Sequence, residues 1–240
     1  STTSAMADPR GNEARVLVWD LPVRLMHWTL VAAVAGAWAT QEIEGDWFKY
    51  HVWCGYAVLL VAATRIVWGF VGTRHARFAA FLRGPGAIVG YLRGQSARGV
   101  APYAGHNPLG ALMVLALLLL LLVQALTGLF ANDQIMSNGP LYGYVAGSTS
   151  DRLTSIHKQL FDLLLVAIAL HVLAAFFYLL VRRDNLILPM ITGRKRADAV
   201  PPEDRIASSR TWLWALVLAA FAVVLYVVVR TAPEASMFSF

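Results

Sequence analysis

Apolar residues fill five stretches, about Leu25–Thr40, Val52–Val71, Leu109–Ala131, Ile156–Val181 and Trp212–Val229, separated by segments rich in Gly, Pro and charge. These runs approach or exceed the ~20 residues that span a bilayer as helix, so the pattern predicts five transmembrane helices. The third run is the plainest: leucines continue unbroken from Leu117 to Leu122, and Gln124 is its only clearly polar interior group before Thr127. No internal repeat and no low-complexity tract interrupts the pattern. The expected fold class is therefore an all-α membrane protein, a four-helix transmembrane bundle plus a fifth transmembrane helix.

Composition agrees with this. The 240 residues are 58% hydrophobic and 14% charged, with a mean hydropathy of +0.58, whereas soluble domains carry ~25% charged residues. The lone cysteine, Cys54, excludes an internal disulfide, a four-cysteine iron–sulfur cluster and thioether haem attachment. A formal charge of +6 raises nucleic acid as a partner, but the Arg and Lys residues lie in loops between spans, where topology accounts for them. One such loop holds Arg74, Arg77, Arg83, Arg93 and Arg98, and another holds Arg182, Arg183, Arg194, Lys195, Arg196, Arg205 and Arg210. The loop from Glu42 to Lys49 is largely acidic, and that from Asn132 to Ser155 has only Arg152. By the positive-inside rule the basic loops and the N-terminus are cytoplasmic, and the C-terminus, with Glu234 and Phe240, is periplasmic. The polar segment before Asp20, with Pro9, Gly11 and Asn12, does not read as a signal peptide. Trp19, Trp28, Trp47, Trp53, Trp68 and Trp212 sit at run ends, as interface anchors do.

Within this frame the histidines sort by depth. His157 and His171 are fourteen positions apart in the fourth run, hence on one helix face and ~21 Å apart along the axis. Topology puts His51 and His157 near the periplasmic edge, and His27 and His171 near the cytoplasmic edge. Ionisable residues inside a bilayer are costly and commonly functional. Each depth-matched pair could hold a haem iron from both sides, leaving no open coordination position, as suits electron transfer. Zinc, which takes four ligands in one place, matches a two-level arrangement poorly. Arg65, fourteen positions after His51, lies at the inner level; it either meets an anionic haem propionate or snorkels to the interface. Arg24 and Lys158 are candidates for the same propionate role. His75, between Arg74 and Arg77, is expected to face solvent or headgroups. His106, in Gly105-His106-Asn107-Pro108, is expected to be a helix-entry residue or part of a quinone or proton-handling site.

Val18-Trp19-Asp20-Leu21-Pro22-Val23-Arg24 with His27-Trp28, then His51 with Gly55 and Arg65-Ile66-Val67-Trp68-Gly69, resemble the bacterial cytochrome b561 family. That family includes the b-type cytochrome subunits of nickel–iron hydrogenases, and formate dehydrogenase membrane subunits are similar in layout. Ile156-His157-Lys158 through His171, and Pro189-Met190-Ile191-Thr192-Gly193-Arg194-Lys195, add to the likeness, which covers about residues 15–196. The resemblance implies a haem-binding four-helix domain over 20–196 with two non-covalent b-type haems, iron ligands His27, His51, His157 and His171, and quinone as substrate. A cytoplasmic segment, 1–19, would precede it; a linker, fifth helix and periplasmic tail, 197–240, would follow. The implied work is electron exchange between the quinone pool and a periplasmic c-type cytochrome or hydrogenase-like subunit, in the bacterial inner membrane. His106, Arg77 and Pro189 are the candidate quinone-lining residues. A homodimer is a further expectation. Two alternatives stand beside this reading: a superoxide-to-quinone oxidoreductase of the same fold, and a haem-free transporter or membrane anchor.

Overall fold

The computed structural model describes residues 14–42, 47–82, 84–94, 104–134 and 137–233. Pro9, Gly11 and Asn12, part of the acidic loop before Trp47, Arg83, Arg98, Glu234 and Phe240 lie outside the described residues. Eight helices follow in order: α1 (Leu21–Glu42), α2 (Phe48–Val71), α3 (Phe78–Phe81), α4 (Pro85–Gly94), α5 (Pro108–Leu129), α6 (Gly147–Leu180), α7 (Ile187–Thr192) and α8 (Thr211–Arg230). Two short strands, β1 (Arg15–Leu17) and β2 (Arg194–Arg196), pair antiparallel with Val16 opposite Lys195.

α2, α5, α6 and α8 are long and apolar enough to cross a membrane. The remaining predicted span, the first, is α1, as long at 22 residues but less apolar. It nevertheless runs antiparallel along α2: Asp20 at its start meets Trp68 near the end of α2, and Ala37 near its end meets His51 near the start of α2. α5 packs between α2 and α6, and α8 lies on α2 and α1. α6 has no comparable seam with α1 or α2. Midway along the bundle, Ala33, Val58, Leu121, Ala125 and Leu164 form a buried apolar layer.

Helix starts follow local chemistry. Asp20 caps α1, its Oδ1 accepting the Val23 N–H at 2.6 Å. Asn107 caps α5 by accepting from the Gly110 N–H at 2.7 Å, with Pro108 following where its missing N–H costs nothing. α6 begins nine residues before the apolar run, and its 34 residues extend about 50 Å, well beyond a ~30 Å hydrocarbon core. The surplus is polar and is tied to the α5–α6 loop by Asn132, whose N–H and Nδ2 donate to Thr154, Ser150 and Asp151.

The basic end departs from a set of solvated loops. Val18, Trp19, Met26, Val61, Trp68, Ala76, Ala104 and Val200 form a buried core there. Trp19 and Trp68 are thus interior residues, whereas Trp28, Trp47, Trp53 and Trp212 are exposed as anchors would be. Trp68 is buried because its indole N–H has a partner, Asp20 Oδ2 at 3.1 Å. His75 is also buried, against expectation: its Nε2 lies 2.6 Å from the Asp204 carbonyl, and Arg74 pairs with the Asp204 carboxylate at 2.8 Å.

Two paired-histidine sites at opposite ends of the bundle

α6 presents His157 and His171 at two heights, ~21 Å apart along its axis, and Leu164, buried, stands halfway between them. Across from His157, α2 supplies His51; the ring centres are 6.2 Å apart and the planes 78° apart. Across from His171, α1 supplies His27, with ring centres 6.3 Å apart and planes at 55°. All four imidazoles are half-buried.

These spacings test whether an iron fits. Metal–imidazole bonds of about 2 Å on opposite sides of one ion, with ~1.1 Å from each nitrogen to its ring centre, put the centres about 6.2 Å apart. The donor chemistry agrees at the His51–His157 level. His51 Nδ1 lies 2.9 Å from the Ala37 carbonyl oxygen, and His157 Nδ1 lies 2.9 Å from the Gln124 carbonyl oxygen. A carbonyl only accepts, so each Nδ1 carries the proton and each Nε2 is left as a lone-pair donor. The Gln124 amide nitrogen stands 3.3 Å from the His157 Nε2, and Thr127 Oγ1 stands 3.3 Å from its Nδ1. Gly128 lets α5 come this close: a Cβ there would sit 2.9 Å from His157 Cε1. At the other level His27 meets the edge of Trp28 at 5.0 Å, and its Nδ1 is shielded without a hydrogen-bond partner. Among the described residues, no group of three or more His, Cys, Asp and Glu is arranged to hold a metal ion, so the donors come as opposed imidazole pairs.

The other candidates fall mostly around the His27–His171 end. Arg65 is buried, its guanidinium 5.5 Å from the Phe78 ring and its Nη1 unpartnered. Arg24 donates through Nη2 to the Ile191 carbonyl. Pro189 is buried within α7. His106 is held between Trp19 and Phe81, each 4.7 Å from its ring centre. Burial, then the charges of Arg65, His75, Lys195 and His171, bring its pKa down to about 3. Arg77 is exposed, at the start of the short helix that carries Phe78 and Phe81. Lys158, exposed at the opposite end, lines a polar recess with Asn132, Asp133, Gln134, Asp151, Thr154 and Ser155.

Residues with no evident chemistry turn out to organise this end. Asp20, 1% exposed, accepts from the Val23 N–H, the Trp68 indole and the Thr73 hydroxyl, joining α1 to α2 and its following turn. Gly193, at φ +80°, turns the chain from α7 into β2, and its carbonyl accepts from Val18 N at 2.9 Å and Trp19 N at 3.0 Å. Trp28 donates to the Met190 carbonyl at 3.2 Å. The 18–28 and 189–195 segments therefore interlock across most of the chain's length. The sequence offered one signal, two conspicuous motifs at the inner ends of the first and fourth spans, without saying that they touch.

A family model described as prokaryotic cytochrome b561 matches residues 18–193. The chain is 25% identical over 226 residues to a probable Ni/Fe-hydrogenase B-type cytochrome subunit from Bradyrhizobium diazoefficiens, with 79% of this chain and 91% of that protein covered. No solved structure matches the chain.

Proposed function

The chain belongs to the prokaryotic cytochrome b561 family, and on that premise we propose that it carries electrons across the membrane through two b-type haems. Membership implies a multi-pass membrane cytochrome with b-type haem, working in transmembrane electron transfer. The observation that carries the two-haem reading is the pair of imidazole–imidazole spacings, 6.3 Å and 6.2 Å, at two heights of one helix. A haem held by such a pair would supply one-electron transfer, with the two imidazoles of the pair as the protein's ligands to it.

The protein's own residues then do three things. His27 with His171, and His51 with His157, offer nitrogen donors from opposite sides. The carbonyls of Ala37 and Gln124 hold the protons of His51 and His157 on Nδ1, so Nε2 is the ligating atom and each ring keeps its orientation. The apolar layer of Ala33, Val58, Leu121, Ala125 and Leu164 keeps the space between the levels dry.

We place the basic end in the cytoplasm of an inner-membrane protein, from the loop charges. The His27–His171 site is then nearer the cytoplasm, where quinone exchanges electrons and protons, with His106 and Pro189 as its nearest candidate lining. The His51–His157 site faces a periplasmic partner, a c-type cytochrome or hydrogenase-like subunit, in keeping with the hydrogenase cytochrome among its relatives. Purified protein is expected to give a b-type reduced-minus-oxidised spectrum, a haem-to-protein ratio of two, and reduction of both haems by a quinol. A ratio of one, or none, overturns the reading.

A further inference from the structure

Shielded polar atoms without partners are unevenly distributed among the described residues. Arg24 Nε, His27 Nδ1, Arg65 Nη1, His106 Nδ1 and Trp214 Nε1 lie toward the basic end, and all are nitrogens; Gln124 Oε1 lies toward the other end. A shielded guanidinium nitrogen with no acceptor is expensive, and such groups persist where an anion meets them. Three carboxylates of the basic end are engaged. Asp20, whose charge reaches Arg65, already accepts from Val23, Trp68 and Thr73. Asp204 is taken by Arg74, and Asp198 by Arg196.

Arg65 and His106 are close enough for the guanidinium charge to act on the imidazole, and His171 lies within the same reach. Aromatic rings fix both donors: Phe78 lies against the Arg65 guanidinium at 5.5 Å, Phe81 lies 5.8 Å from Phe78, and Phe81 and Trp19 flank His106. These walls shield the two nitrogens from water and from the bilayer surface, and they belong to the side of the bundle where His27 and His171 meet.

We propose that Arg65 Nη1 and His106 Nδ1 together bind one propionate carboxylate of the haem held between His27 and His171. The inference rests on the two-haem reading. A carboxylate supplies about four lone-pair sites, enough for a guanidinium N–H pair and one imidazole N–H. His106 donates through Nδ1, and Arg65 supplies the fixed cation of the site. Both are positioning residues: they set the tilt of the macrocycle and, through the Arg65 charge, the potential at that level.

The test uses the full-length holoprotein in nanodiscs, with both haems resolved by potentiometric titration and infrared redox difference spectra of haem labelled with carbon-13 at its carboxyls. In Arg65→Gln the midpoint of the haem that His171→Ala removes is expected to fall, with the other unchanged. Arg65→Lys should restore part of that fall, and the label-sensitive carboxyl band should move in both Arg65→Gln and His106→Phe. Two haems with unshifted potentials and an unmoved labelled band overturn the proposal while leaving the two-haem reading standing. An Arg65→Gln effect that follows the anionic lipid content of the nanodisc, with the labelled band unmoved, assigns the site to a headgroup phosphate and also overturns it. If Arg65→Gln fails to accumulate, Arg65→Lys and His106→Phe decide by the same two readouts. A wild-type protein holding fewer than two haems instead defeats the underlying reading.

Discussion

The two histidine pairs have nearly the same spacing and are held by different means. At the His51–His157 level, each ring gives its Nδ1–H to a main-chain carbonyl, of Ala37 and of Gln124, and α5 closes on His157 through Thr127 and Gly128. At the His27–His171 level, the Nδ1 of His27 has no acceptor, and packing against Trp28 sets its ring. The first pair is oriented by backbone dipoles. The second lies toward the folded basic end, which also buries Arg65. An imidazole that donates to a carbonyl is a more basic ligand, which favours the oxidised iron; a buried cation favours the reduced one. Two haems held as proposed would therefore have unequal potentials despite identical ligand sets, with the His27–His171 level expected to be the more positive of the two.

The largest break in this comparison comes from deleting one ligand at a time. His157→Ala is expected to leave one haem per chain, the one at the more positive potential, and His171→Ala to leave the other, as read by haem stoichiometry and redox titration. If both substitutions left the same haem, the two-level assignment would be wrong. Next comes Gly128→Leu. A Cβ at that position already meets His157 at 2.9 Å, so a branched side chain must push the ring from its carbonyl. Low occupancy or a displaced potential is expected at the His51–His157 level only, because position 128 lies near the end of α5 that meets His157. Equal disturbance of both levels would show that the sites are not separately held.

Asp20→Asn carries an intermediate effect and probes the opposite end. The carboxylate joins three donors from the start of α1, the last turns of α2 and Thr73. Replacing one buried charged acceptor by an amide costs about 1–3 kcal/mol. The expected result is a lowered unfolding temperature, with His27 shifted relative to α2, so that the haem at its level changes spectrum while the other does not. An unaltered spectrum at both levels would reduce Asp20 to a helix cap.

What the sequence made legible follows the same division. Fourteen-residue spacing fixes face and height on a helix from geometry alone, so the approach of His27 to His171, and of His51 to His157, needed no knowledge of packing. The carbonyls of Ala37 and Gln124 leave no trace in side-chain identity, and the acceptors of the His51–His157 pair were invisible for that reason. The basic end was misjudged in another way. Trp19 and Trp68 read as interface anchors because they end apolar runs, and His75 as solvent- or headgroup-facing because Arg74 and Arg77 flank it, yet each has a partner far away in the chain: Gly193 for Trp19, Asp20 for Trp68 and Asp204 for His75. Such long-range pairing is what local hydropathy cannot encode. Even the β1–β2 ladder joins residues about three quarters of the chain apart, Arg15 with Arg196.

The smallest expected effect is one of pH, and it again separates the two ends. Burial lowers the pKa of His75 from its ordinary value of 6.5, opposed in part by its hydrogen bond and charge contact with Asp204 and reinforced by Arg74 and Lys195. With the folded value below the unfolded one, the unfolded chain takes up the proton first as pH falls through about 6.5. Stability is therefore full above that pH and declines below it until the folded His75 also titrates. In the wild type, the basic-end core should loosen between pH 7 and pH 5, as seen by hydrogen exchange at Val18, Trp19 and Ile206, whose amides bond to Gly193 and Leu17. His75→Gln keeps a donor for the Asp204 carbonyl but cannot be protonated, so its response over that range should be smaller, the remainder coming from buried His106. Amides of the Asn132 loop, at the far end, should respond alike in both proteins. An acid response at Val18 and Trp19 that was undiminished in His75→Gln would move the sensitivity from that imidazole to another group of the basic end.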